Sequence, residues 1–520
     1  MSDTLKFVRE NALFTGWDFS TGAVKCLAFD LNGNVLAEAR FPTDLWMGSG
    51  EEEGAIELNL LQLEGQARQT TRSIAAQLRA QNRLEDWTAG GISATHHTAG
   101  RIDSSGTQIR RAICWNDQTL TKYHAIGVER LGGMEVVERL IGAPWAIRYT
   151  LSHLVKDELR LSQEDWSRTR RILPHGSLAA GFLTGNFDSI SVSAAASTGI
   201  LDFRTRTWCR DMLSALESEA YRALAWEQLP PIYDANCPVG ELSSDAYGFY
   251  GSIPRVRIYP TSDDQQAGLV GGGAVEDGQV AIVLGNSAVV NSSCAKIPNR
   301  DINLDVMALN WGPFLLMRCY SNGAFFIDRV CGSNLDYAQI EQAARRYAPG
   351  AGGARILPFL VSEPSLGVLK PSLEWRGSAP QDDGAKYRAC LEALAFLIAL
   401  GVEEHKKAGQ KIRSISVSGG VARSDLMCEI LASVLNFPLI RLESEEGPAL
   451  GAAVTSLAAE ENFWRAKNAP NGEFEPYSVE SAVRKMVKFK RTVAPNEQWV
   501  PQYRSLLSAF CADIEKIGSD

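Results

Sequence analysis

The sequence predicts an α/β protein built as two domains, and three observations carry that prediction. Apolar stretches of strand length alternate along the chain with longer stretches of helical periodicity. At 520 residues the chain exceeds one ordinary hydrophobic core, which makes two domains the natural number and leaves a third within reach. Two segments, residues 14–39 and 278–291, share one design: a β-rich run reaches a small polar turn and continues as a second strand. One lies in each half, an internal echo of architecture more than of sequence identity.

Composition narrows the function classes. A hydrophobic fraction of 45% and a charged fraction of 22% are ordinary for a soluble globular protein. The net charge of −9, with a pI near 5.4, argues against general affinity for nucleic acid or an anionic membrane. The ten cysteines are scattered singly from Cys26 to Cys511 without a CxxC, which suits reduced thiols in a cytoplasm. The opening MSDTLKFVRENALF has mixed charge and reads as no signal peptide. With no apolar run of about 18 residues, no membrane helix is expected, and the expected localisation is cytoplasmic.

In chain order, a short strand should end at Trp17, and residues 24–30 and 34–39 alternate as a hairpin about Asn32-Gly33. Residues 18–22 (DFSTG) form a tight polar turn whose small residues let backbone amides approach an anion. Thr21 and Gly22 lie at its tip, Lys25 adds positive charge, and Asp18 can hold a divalent cation. A plain hairpin would look the same. Residues 56–84 have amphipathic helical spacing, and residues 90–94 form a buried strand that delivers Thr95, His96 and His97. Successive histidines point apart, so substrate-hydroxyl recognition suits them better than metal, against the alternative of surface loop residues. The IRRAICWND stretch ends a strand with Trp115, Asn116 and Asp117, a set that suits a polyhydroxylated ligand or a structural turn. Several helices follow, then a Ser/Ala-rich passage at residues 189–203.

At the midpoint, a strand at residues 256–259 runs into Thr-Ser-Asp263-Asp264-Gln265 and a helix of small residues. A carboxylate there can take a proton from a substrate hydroxyl, or merely cap the helix. The second strand–turn–strand places Gly285, Asn286 and Ser287 in its turn. A helix is expected over 388–404. A strand at 412–418 opens through Gly419 and Gly420 into a helix starting near Ser424, where a ligand can lie against bare backbone. EGPALGAA starts another helix with small residues for close packing, residues from about 466 read as irregular, and a last helix covers 503–517.

In this order and spacing, these segments resemble the FGGY carbohydrate kinases, and within them the xylulokinase branch, over nearly the whole chain. GWDFSTGAVK is similar to the first phosphate loop, with Ser20 where Gly is usual. GISATHH is similar to the stretch ending Gln-Met-His, AICWND to Trp-Asn-Asp, SDDQQAG to the catalytic Asp segment, VLGNSA to the second phosphate loop, and SGGVARS with EGPALGAA to the adenosine segment. The resemblance implies an actin-like ATPase fold, two RNase H-like domains flanking a nucleotide and sugar cleft. It implies domains at 12–274 (sugar, first phosphate loop and catalytic Asp) and 275–500 (adenine nucleotide), with a helical tail at 501–520. Asp264 falls on the catalytic base, and Thr95, His96, His97, Trp115, Asn116, Asp117 and Gln265 on the sugar. Thr21, Gly22, Lys25, Gly285, Asn286, Ser287, Gly323, Gly419, Gly420 and Ser424 fall on the nucleotide. ATP and Mg2+ are the implied cofactors, with Asp18 linked to the metal, and a homodimer is left open. Asn286 stands for the usual Thr, Thr95-His96 for Gln-Met, and His153 and Ser191 for Lys and Asp. The substrate expectation is a ketopentose such as D-xylulose, with another ketose, a polyol or an autoinducer-2-like sugar as alternatives. A nucleotide-switch ATPase without a sugar substrate is the rival of a different class.

Overall fold

A computed structural model describes residues 4–243, 254–297, 303–332, 335–444, 446–469 and 472–517. The chain folds as two compact units, each assembled from separate stretches of sequence. The first holds Met1–Gly271, Met307–Pro313 and Pro448–Met486, and the second holds Gly272–Val306, Phe314–Gly447 and Val487–Asp520.

The main sheet of the first unit grows from the hairpin that the sequence signals. Strand Leu13–Phe19 pairs antiparallel with Ala23–Phe29, which pairs antiparallel with Val35–Pro42. On its other edge Leu13–Phe19 pairs parallel with Trp87–Ala94, itself parallel to Arg257–Ile258 and Ser262–Asp263. The first two strands are buried nearly throughout because both faces of the sheet are covered. Trp17 and Trp87 stack in that core with ring centroids 6.1 Å apart, and the Trp87 indole N–H donates to Thr15 Oγ1.

Helix Gly447–Lys467 belongs to this unit from Pro448 onward, and small residues explain why. A Cβ built on Gly16 would come within 1.7 Å of Ala449 O, and one on Gly451 within 1.8 Å of Ala267 O. Backbone therefore lies on backbone, an approach that side chains would prevent. The anticipated close packing of EGPALGAA is thus directed at the first half of the chain.

The second unit repeats the arrangement. Strand Gln279–Leu284 pairs antiparallel with Ala288–Cys294, which pairs antiparallel with Phe314–Tyr320. Its other edge pairs parallel with Ser414–Ser418, itself parallel to Leu439–Leu442. Both sheets thus place three antiparallel strands first and two parallel strands beside the opening one. Helix Asp383–Lys407, capped by Asp382 and buried along most of its length, fills the second core with Leu391, Leu394 and Leu397.

Several boundaries differ from expectation. Residues 56–84 are a strand Ile56–Leu58, a helix Leu60–Ala80 and the start of a 3-10 turn Leu84–Asp86. Asn59 caps the helix by accepting from Leu61 N, so the chain enters it later than amphipathic spacing alone suggests. The stretch read as irregular after residue 466 contains helix Val479–Met486 and strand Phe489–Val493, whose Val493 pairs with Leu439. Among the described residues no helix is long and apolar enough to cross a membrane, and the ten cysteines are free thiols.

Candidate active site

In the first unit the two adjacent aspartates divide their work. Asp263 ends the short strand beside Ala94, and its Oδ1 accepts from Gln265 N at 2.9 Å and Gln266 N at 3.0 Å. Ser193 Oγ donates to Asp263 Oδ2 at 3.2 Å and accepts from Asp263 N at 3.1 Å. Asp263 is therefore the capping carboxylate. Asp264 opens helix Asp264–Gly271 and is partly exposed as a residue. Desolvation by the surrounding protein, then the charges of Asp263 and Asp18, hold its carboxyl well above the usual carboxylate range.

Asp18 lies at the end of its strand, directly across from Lys25 and in register with Ser93. It is 7% exposed, and Ser93 Oγ donates to its Oδ1 at 2.9 Å. The turn after it is tighter than expected, because Asp18 and Phe19 are still strand. Ser20 closes the turn by donating from N and Oγ to Ala23 O at 3.1 and 2.8 Å. Thr21 and Gly22 form the tip, and a Cβ on Gly22 would meet nothing within 4 Å. The backbone at the tip is open to a ligand.

Thr95 donates from N and Oγ1 to Phe19 O, which ties the histidine segment to the same turn. Against the expectation that the successive histidines point apart, His96 stacks on His97 with centroids 4.1 Å apart, because the backbone turns left-handed at His97, and His97 stacks on Tyr149 at 4.7 Å. His96 Nδ1 lies 3.7 Å from Asp263 Oδ1. His97 adopts φ +64°, a left-handed conformation that a side chain rarely takes without a surrounding that imposes it. Burial, helped by His96 and Arg148, pushes the His97 imidazole well below its usual value, so it is neutral near pH 7. Trp115 is joined to this segment through its backbone N–H, which donates to Thr98 Oγ1 at 3.2 Å, and the residue is 44% exposed. Asn116 Oδ1 is buried and accepts no hydrogen bond among the described residues. Asp117 is turned inward: its carboxylate accepts from Ile56 N, Thr119 N and Thr119 Oγ1. Gln265, the residue after Asp264, is partly exposed.

The second unit gathers backbone in place of side chains. Gly285 N donates to Ser287 O at 3.0 Å, Gly323 N to Asn286 O at 2.9 Å and Ala324 N to Gly285 O at 2.7 Å. A Cβ on Gly323 would stand 2.4 Å from Asn286 O. Gly419, at φ +94°, would place a Cβ 2.5 Å from Leu284 O. Gly285, Asn286, Ser287, Gly323 and Gly419 thus form one cluster, while a Cβ on Gly420 would meet nothing within 4 Å. Ser424 caps helix Asp425–Leu435 by accepting from Met427 N at 3.0 Å, and its hydroxyl donates to Glu341 Oε2 at 2.7 Å. Glu363 braces the cluster from behind, its Oε2 accepting from Ser321 N and Asn322 Nδ2.

Sequence reasoning missed Ser93, Tyr149, Ser193 and Asn310. Ser193 lay in a Ser/Ala-rich passage with no distinguishing signal, and Tyr149 and Asn310 are lone residues in connecting segments. Ser191, where Asp is more usual in the resembled family, accepts from Ala194 N at 3.0 Å as a helix cap, which Asp also does well.

The FGGY family of carbohydrate kinases matches through its N-terminal domain at residues 13–271 and its C-terminal domain at residues 372–460. The chain is 25% identical over 518 residues to a xylulose kinase of Bacillus subtilis, covering 95% of each. It superposes on a xyloylose kinase from Brucella ovis with a TM-score of 0.79 at 21% identity, covering 98% of this chain and 99% of that one. A gluconate kinase from Lactobacillus acidophilus gives a TM-score of 0.81 at 17% identity, with coverage of 98% and 99%. These neighbours show the actin-like ATPase fold with two domains. The chain belongs to the FGGY family of carbohydrate kinases, and it is a sugar kinase.

Proposed function

We propose that this sugar kinase phosphorylates a ketopentose such as D-xylulose at the expense of ATP, with Asp264 as the general base. The carrying observation is the carboxylate of Asp264. It is desolvated beside Asp18 and Asp263, the latter holding the Gln265 and Gln266 amides, and its raised pKa makes it a better proton acceptor than an ordinary aspartate. The hydroxyl to be phosphorylated loses its proton to Asp264 as its oxygen attacks the γ-phosphate and ADP departs. Phosphoryl transfer of this kind depends mostly on positioning and charge stabilisation.

The stacked His96, His97 and Tyr149 form one wall for the sugar. Trp115, Asn116 and Gln265 supply an aromatic face and amides, and the buried Asn116 Oδ1 suits a hydroxyl donor. Asp117 holds the segment that carries Trp115 and Asn116. Backbone amides at Thr21 and Gly22, with Lys25, serve phosphate in the first unit, and those at Asn286 and Ser287, in a turn shaped by Gly285, Gly323 and Gly419, serve it in the second. Gly420 and Ser424 mark the nucleoside side.

Mg2+ fits at Asp18. Three carboxylates there raise the local negative charge, and a hard cation binds through one or two carboxylates with phosphate oxygens completing its shell. When bound, the ion neutralises charge on the phosphates.

The test is ADP release with MgATP across ketoses, aldoses, polyols and aldonates, wild type beside Asp264→Asn. The expected result is release that depends on one favoured ketose and is lost in the variant. Release indifferent to every sugar would overturn the reading, as would full activity in Asp264→Asn.

A further inference from the structure

The loop Met307–Pro313 sits far downstream of the catalytic segment in sequence, yet it is part of the first compact unit. Its contacts there converge on the segment that presents Asp264. Asn310 Nδ2 donates to Thr261 O at 2.9 Å, and Asn310 Oδ1 accepts from Ser193 N at 2.9 Å. One carboxamide thereby bridges the two stretches of chain that hold Asp263: Thr261 lies two residues before it, and Ser193 is its hydrogen-bond partner in both directions. Gln266, two residues after Asp264, donates from Nε2 to Ala308 O at 3.0 Å. The same loop is anchored on its far side. The Arg206 guanidinium donates to Leu309 O at 2.9 Å and also to the Gly312 carbonyl, and Tyr149 OH lies 3.7 Å from Met307 Sδ.

We infer that Met307–Pro313 is a clip that sets the position of the base, and that Asn310 is its positioning residue. The inference rests on Asp264 being the base. The chemistry is specific to an amide. One partner is a backbone carbonyl, which needs a donor, and the other is a backbone N–H, which needs an acceptor; only a side chain with both at one end serves them together. Asn310→Asp would keep the acceptor and lose the donor, and Asn310→Ala would lose both. Asn310 touches no reacting atom. It acts through Ser193 and Thr261 on Asp263, and Asp263 caps the helix whose first residue is Asp264. A shift of about 1 Å in a reacting group costs on the order of 10²-fold in rate. Loss of the clip therefore reaches turnover before it reaches substrate binding.

The experiment compares Asn310→Ala, Asn310→Asp, Asp264→Asn and the double variant Asn310→Ala/Asp264→Asn in sugar-dependent ADP release and in thermal unfolding. Asn310→Ala is expected to lower kcat about 10- to 100-fold while KM for ATP stays within about 3-fold. Asn310→Asp, nearly the same shape but with an oxygen set against the Thr261 carbonyl, should lose at least as much kcat as Asn310→Ala, and an unfolding midpoint held in either variant separates positioning from a failure to fold. The double variant should be no slower than Asp264→Asn alone, because a residue that acts through the base has nothing left to position. An unchanged kcat in Asn310→Ala beside an inactive Asp264→Asn would overturn the clip and leave the base standing. An active Asp264→Asn would overturn the base instead. Losses that multiply in the double variant would show that Asn310 acts elsewhere.

Discussion

The two units present the same sheet order and put opposite materials at its end. In the first, the strand ends carry side chains: Asp18, Thr95, His96, His97, Asp263 and Asp264, most of them buried. In the second, the equivalent turn carries Gly285, Asn286 and Ser287, pressed upon by Gly323 and Gly419, and its contacts are backbone to backbone. One site depends on functional groups and their ionisation, the other on the absence of Cβ atoms. Isosteric changes of chemistry should therefore strike the first unit, and added volume should strike the second.

The largest effect is expected from Asp264→Asn. Removing a general base costs about 10²–10⁴-fold in turnover. The same change should raise thermal stability at pH 7. A carboxylate whose folded pKa is raised prefers its protonated form in the fold, so its ionisation at neutral pH opposes folding, and the neutral amide removes that cost. Lower turnover with a higher Tm is the expected pair, read by kinetics and by calorimetry. A falling Tm would show that the carboxylate has a favourable partner. In the wild type, activity should be lost on acidification through a pKa above the ordinary carboxylate range; Asp263→Asn removes one like charge and should move that limb to lower pH without abolishing it, whereas Asp264→Asn should abolish it.

Next come Gly323→Ala and Gly419→Ala. Each added methyl meets a backbone carbonyl at 2.4 or 2.5 Å, and Gly419 adds the strain of φ +94°. Overpacking of this kind costs about 1–3 kcal/mol. Urea unfolding should show that loss in the second unit, with the KM for ATP raised and the KM for the sugar little changed. Full stability in both variants would mean that the cluster relaxes freely.

The units should also part in acid. Burial holds His175 and His405 down to about 4 and His153 to about 3, and His97 is pushed well below its usual value. An unfolded histidine takes its proton near pH 6.5, so between there and pH 4 the unfolded chain binds more protons. Stability thus falls as pH drops through that window, by about 2 kcal/mol per histidine at pH 5. Of these four, only His405 lies in the second unit. Hydrogen exchange at pH 5 should show the first unit opening before the second.

Much of this contrast was legible in the sequence, and its limits have physical causes. Asn32-Gly33 marked its turn because Gly33 takes φ +75° there, and the Gly285-Asn286-Ser287 turn stood out because small polar residues interrupt a β-branched run. Strand Ile56–Leu58 was hidden inside helical periodicity, since a three-residue strand carries too little pattern to compete with the helix that follows it. Long-range partners were not legible at all. Nothing local in GPALGAA says that Gly451 will meet Ala267, and nothing in LNWGP says that Asn310 will bridge Thr261 and Ser193. Adjacent carboxylates were a partial case: Asp-Asp before a helix announced a cap and a free acid, and only three-dimensional contacts show Asp263 holding the amides.

The smallest expected effect on the fold is the sharpest test of the second unit. Gly420 follows Gly419 but a Cβ there meets no atom within 4 Å, and its φ needs no glycine. The fold gives no reason for glycine at this position, so Gly420→Ala should change stability by no more than about 0.5 kcal/mol. If the open space is where nucleotide lies against backbone, the same methyl should raise the Kd for ATP, measured by calorimetric titration, while Tm holds. Gly419→Ala should move both quantities together. Unchanged ATP binding in Gly420→Ala would place the nucleoside elsewhere and leave Gly419 with a packing role alone.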